Sequence, residues 1–100
     1  MIKIREAVKD DFMTIAGFQQ KMALETEDLI LNKNKVEAGV RAVFDDPSKG
    51  FYIVAEEDSA VTASMLLTFE WSDWRNGNFL WIQSLYVIPE YRKQGIFRKM

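Results

Sequence analysis

Apolar and polar positions along this chain change period several times, and each change marks an element. The chain opens on Ile2-Lys3-Ile4-Arg5, apolar and charged in alternation, which predicts a strand with one covered face. The period then lengthens. Phe12, Ile15, Ala16, Gln19, Met22 and Ala23 fall on one helical stripe, with Asp10 or Asp11 ahead of it as cap and Gln19 as its polar member. Core packing explains that stripe. Glu25-Thr26-Glu27-Asp28-Leu29-Ile30-Leu31-Asn32 keeps no period and predicts a loop or broken helix. A second helix is expected from about Lys35 to Phe44, capped by Asn32 or Asn34, with Val36, Val40, Val43 and Phe44 facing inward. Asp45-Asp46-Pro47-Ser48-Lys49-Gly50 ends it with turn chemistry, so its acids need no catalytic explanation.

Phe51 to Glu56 and Ala60 to Phe69 then read as two strands of a hairpin, joined by Glu57-Asp58-Ser59. Ser72-Asp73-Trp74-Arg75-Asn76-Gly77 is a loop whose Asn76-Gly77 favours a tight turn. Trp71 and Trp74, in or beside that loop, are read as covering an edge of the sheet. The stretch from Asn78 to Ile88 is rich in aromatic and β-branched residues and stops at Pro89, the pattern of a strand buried on both faces. The order is strand, helix, helix, three strands, loop and helix start. Short connections make the sheet mostly antiparallel, so the fold class is mixed α/β (α+β), a single domain over residues 1–100.

Composition narrows the chemistry more than the fold. At 48% hydrophobic residues the chain can bury a core, though a small one. Cysteine and histidine are both absent, which removes disulfides, thiolate nucleophiles, the commonest general base and the commonest zinc ligand, and no metal is expected. No apolar run is long enough to span a bilayer and the N-terminus lacks the apolar core of a signal peptide. The expectation is a cytoplasmic protein without a membrane partner. A net charge of −2 argues against a nucleic-acid partner. Glu25, Glu27 and Asp28 would draw a cationic substrate, but a solvated acidic loop explains them with less.

Charge is informative at one place. Arg92, Lys93, Arg98 and Lys99 lie within nine residues that hold no acid, with Gly95 among them and an apolar, helix-like start after it. A strand, a short glycine loop and a helix N-terminus together present unpaired N–H groups and a dipole suited to phosphate.

Laid out in this way, the chain resembles the GNAT superfamily of acyl-CoA-dependent N-acetyltransferases. The sharpest part is Ile82-Gln83-Ser84-Leu85-Tyr86-Val87-Ile88-Pro89-Glu90-Tyr91-Arg92-Lys93-Gln94-Gly95-Ile96. In that family the fourth strand ends in a similar run and is followed by a pyrophosphate loop, Arg/Gln-x-x-Gly-x-Gly/Ala. Arg92 and Gly95 match its first two fixed positions, whereas Phe97 stands where a small residue is usual. The resemblance implies acetyl-CoA as co-substrate. Its pyrophosphate would lie on N–H groups of Gln94, Gly95, Ile96, Phe97 and Arg98, with Arg92, Lys93 and Arg98 supplying charge. Its pantetheine arm would pair with the main chain of Leu85 and Val87, flanking Tyr86, as an added strand.

The resemblance also implies direct attack by a primary amine on the thioester in a ternary complex, the acceptor being a small molecule or a peptide. Many members place a glutamate on the fourth strand as base. Here the matching place holds Gln83-Ser84, neither of which is a base at neutral pH. Gln83, orienting water or the amine, and Glu70, the nearest carboxylate by sequence, are the catalytic candidates. The family fold continues past the loop, so the chain reads as the N-terminal part of such a domain. An uncovered strand edge would then favour self-association into a homo-oligomer. Two other classes remain: a non-catalytic acyl-CoA-binding module, and a small nucleic-acid module stacking bases on Trp71, Trp74 and Trp81.

Overall fold

The computed structural model describes residues 2–92 together with Gly95 and Met100. Four strands, β1 (Ile2–Glu6), β2 (Phe51–Glu57), β3 (Ala60–Ser72) and β4 (Gly77–Val87), form one antiparallel sheet in the order β1-β2-β3-β4. Two helices, α1 (Phe12–Glu27) and α2 (Lys33–Asp45), join β1 to β2 and pack on one face. The mixed α+β class expected from the pattern is what forms.

The core between helices and sheet follows from the two periods. Ile15 and Ala16 from α1 and Val40 from α2 meet Tyr52 and Val54, alternate residues of β2, with Phe12, Val36, Val43, Phe44 and Leu66 around them. On the other sheet face, Ala55 and Ala63 are fully buried beneath Ile2, Ile4, Val87, Tyr91 and Met100.

Local chemistry sets the element ends. Asn32 is the cap of α2, accepting from the Lys35 N–H at 3.0 Å. Asp11 does not cap α1. Its carboxylate turns back to the Val8 N–H at 2.8 Å and to Arg5, because a short 3-10 turn over Lys9–Asp11 leads into the helix. Arg5 also reaches Glu56 at 2.8 Å, tying β1, β2 and the helix entry together. Asp28, with φ of 51°, ends α1 in a left-handed turn, and the Leu29 N–H reaches back to the Ala23 carbonyl. The acidic stretch is therefore the last turn of α1 followed by a short loop. Gly50 is required where it stands. Its φ is 146° and an added Cβ would lie 2.3 Å from the Leu67 carbonyl oxygen.

Two expectations change. β3 runs to Ser72, so Trp71 lies within a strand opposite Asn78. Trp74, at the turn, is 96% exposed and covers no edge among the described residues. β4 is the outer strand of the described sheet and is not buried on both faces: Phe79, Leu80, Trp81 and Ile82 are exposed. Beyond Leu67 the β3–β4 ribbon has no β2 partner, so its apolar side chains lack the neighbours that their composition anticipates.

Candidate functional site

The C-terminal half of β4 differs from the rest of the sheet in two ways, and both come from its pairing with β3. Register shifts between Leu66 and Leu67, with Leu66 opposite Ser84 and Leu67 opposite Ile82. Gln83 is thus the extra residue of a β-bulge, exposed and without a partner position on β3. Past the bulge, the Ile88 N–H donates to the Thr62 carbonyl at 2.9 Å. Hydrogen-bonded pairs alternate along an antiparallel ladder, which makes Tyr86–Ser64 another such pair. The N–H and C=O of Leu85 and Val87 therefore face away from β3, toward the open edge.

α1 lies over this half-strand. Phe18 packs on Tyr86 with ring centroids 5.1 Å apart, and the Gln19 amide donates to Ser84 Oγ at 3.3 Å. That contact explains why a polar residue interrupts the apolar stripe of α1. Burial pushes the Tyr86 phenol above its ordinary range. Between the helix and the strand edge is an open cleft of about 440 Å³ lined by Met22, Glu25, Thr26, Leu85, Tyr86, Val87 and Arg92.

Arg92 follows the short 3-10 turn over Pro89–Tyr91 and folds back over the strand end. Its Nε donates to the Val87 carbonyl at 2.8 Å, and a terminal nitrogen meets Glu25 Oε2 at 2.8 Å. Its guanidinium carbon is 5.4 Å from the centroid of the Tyr86 ring. Gly95 has φ of 74°, a left-handed conformation that favours glycine, and among the described residues nothing lies within 4 Å of where a Cβ would be. Lys93, Gln94, Ile96, Phe97 and Arg98 lie outside the described residues.

Of the candidates named from sequence, the structure gathers Gln83, Leu85, Tyr86, Val87 and Arg92 along one strand end. Glu70 is apart from them. It is exposed, opposite Phe79, and four positions along β3 from the Leu66 that faces Ser84, roughly 13 Å at the rise of a strand. Two features have no counterpart in the sequence pattern: the bulge at Gln83 and the pairing of Glu25 with Arg92. Among the described residues, no group of three or more acidic, histidine or cysteine side chains could hold a metal ion. No described helix is long and apolar enough to cross a membrane.

The sequence model of the acetyltransferase (GNAT) family matches residues 5–100. The chain belongs to this family. A search of curated proteins found no match. Among solved structures, a possible acetyltransferase from Clostridium difficile 630 is 50% identical, with a TM-score of 0.94 over 99% of this chain and 65% of its own. The predicted acetyltransferase of Clostridium acetobutylicum, solved with acetyl-CoA, shares 20% identity with a TM-score of 0.77, over 100% of this chain and 68% of that one. Ribosomal-protein-alanine N-acetyltransferase from Brucella melitensis biovar Abortus 2308 shares 12% identity with a TM-score of 0.78, over 99% and 65%. The last two likenesses show the fold. This chain spans 65% of the length of the 50%-identical relative.

Proposed function

We propose that the protein is an acetyl-CoA-dependent N-acetyltransferase that moves the acetyl group to a primary amine by direct attack in a ternary complex. The observation that carries this is the outer edge of β4, where a bulge at Gln83 is followed by main-chain groups of Leu85 and Val87 that face away from β3. The pantetheine arm has amides at the spacing of a strand and would add to that edge. Arg92 and Gly95 lie where the diphosphate would follow, with Lys93, Gln94, Ile96, Phe97 and Arg98 completing the loop. Acetyl-CoA in the fold neighbour from Clostridium acetobutylicum supports the assignment.

The amine, once deprotonated, attacks the thioester carbonyl. The carbonyl oxygen takes negative charge, the tetrahedral intermediate collapses, and the carbon–sulfur bond breaks with coenzyme A leaving as thiolate, which then takes up a proton. Outward N–H groups beside the bulge are suited to the developing oxyanion. Gln83, exposed on the bulge, orients the amine or a water. Glu70 is a solvated carboxylate that receives the proton through water, its separation from the bulge excluding direct contact.

A second reading is favoured by one observation. Gln83 is an amide that cannot take a proton at neutral pH, which suits an acyl-CoA-binding module without catalysis. Acetyl transfer to a panel of primary amines separates the two. Turnover with no acetyl adduct on the protein, after incubation with labelled acetyl-CoA alone, supports direct transfer. Tight acetyl-CoA binding with no turnover on any amine supports the binding module.

A further inference from the structure

One guanidinium serves two elements. Arg92 joins the end of β4 to the last turn of α1, donating at 2.8 Å both to the Val87 carbonyl and to Glu25. Neither partner is incidental to the proposed cofactor site. The Val87 carbonyl is an outward acceptor at the strand edge, and Glu25 lines the same cleft and an adjoining one with Lys21, Leu24 and Ile88. Arg92 itself belongs to the loop matched to the cofactor's diphosphate. The fork of donors is planar and fixed, so a diphosphate that engages it competes with Glu25 and Val87 for the same N–H groups. The pair with Glu25 is half-exposed, 43% for Arg92 and 41% for Glu25, which makes it weak enough to exchange.

We infer that Arg92 is an exchangeable clasp. It neutralises Glu25 and covers the Val87 carbonyl until the diphosphate of coenzyme A draws it away. Cofactor binding then releases an acceptor for the pantetheine arm and leaves the Glu25 carboxylate, at the end of α1, without its guanidinium. The inference rests on the proposed cofactor site and adds an internal competitor to it. Linkage makes the coupling reciprocal: a cation that pairs with Glu25 frees Arg92 and strengthens cofactor binding, and the cofactor strengthens binding of that cation.

The test is calorimetric titration of coenzyme A into the full chain and its variants at one ionic strength. Glu25→Gln removes the competitor and is expected to bind coenzyme A roughly two- to fivefold more tightly, the effect of releasing one exposed ion pair. Glu27→Gln removes an equal charge two residues on and gives a smaller change, which separates the clasp from long-range repulsion. In an Arg92→Gln background, Glu25→Gln produces no gain, as a double-mutant cycle requires of directly coupled groups. Equal or weaker binding by Glu25→Gln, or the same gain from Glu27→Gln, overturns the clasp and leaves the cofactor site standing. Absence of coenzyme A binding by the wild-type chain overturns both.

Discussion

The ring of Phe18 lies 5.1 Å from that of Tyr86, tilted by 36°, and this pair is where α1 grips the strand that carries the candidate site. Phe18 and Tyr86 are each 5% exposed, so the contact is buried. Phe18→Ala should lower stability by about 3–5 kcal/mol, through lost burial and the cavity left behind, and Phe18→Leu by about 1–1.5 kcal/mol. Denaturant unfolding of the two variants checks the ranking. A smaller loss for Phe18→Ala than for Phe18→Leu would contradict the packing described.

Arg5 makes a two-pronged contact with Asp11, at 2.8 and 3.1 Å, while its Nε reaches Glu56. The hydrogen bond from Arg5 holds the Asp11 carboxyl below its ordinary value. A depressed folded pKa gives stability that is present above the unfolded value, about 3.9, and lost as pH falls below it. Asp11→Asn should therefore flatten the acid limb of the stability curve, and Arg5→Ala should cost about 1–3 kcal/mol near pH 7. Urea midpoints measured from pH 6 to pH 3 decide the point. Parallel acid limbs for wild type and Asp11→Asn would rule the linkage out.

Ser64 is 1% exposed on β3, and its hydroxyl has no hydrogen-bond partner among the described residues. A buried hydroxyl in that state is costly, so Ser64→Ala is expected to be neutral or to stabilise by about 1 kcal/mol. Thermal unfolding is the readout. A loss of stability near 2 kcal/mol would mean that the hydroxyl is bonded.

Main-chain recognition at the β4 edge has its own test. The Val87 N–H faces away from β3, so proline there removes an edge donor without breaking the β3–β4 ladder. Val87→Pro should weaken coenzyme A binding tenfold or more, whereas Val87→Ala, which keeps the N–H, should stay near wild type. Similar affinities for both would show that the strand edge is not the recognition element.

Elements whose chemistry is local are legible in the sequence alone. Alternation at Ile2-Lys3-Ile4-Arg5, the apolar stripe from Phe12 to Ala23, the Asn32 cap and the turn at Asn76-Gly77 all depend on neighbours along the chain. Features that depend on distant pairing are not. The bulge at Gln83 is set by the register of β3 against β4 and has no composition of its own. Glu25 and Arg92 are 67 residues apart, and each alone belongs to a charge run that solvation explains. Gln19 is a fault in an apolar stripe by sequence, and only the fold brings Ser84 to its amide. The apolar composition of Phe79 to Ile82 overstates burial, because the ribbon outruns β2 and these side chains stay exposed.

The most direct test of the central claim is acetyl-CoA binding by the full chain carrying Arg92→Glu or Lys9→Glu. Both exchanges alter net charge equally, but Lys9 is paired with Asp45 near the start of α1, away from the β4 edge. The account predicts wild-type affinity for Lys9→Glu and a loss of tenfold or more for Arg92→Glu, with both variants melting near wild type. Equal affinities for the two variants would contradict the cofactor site.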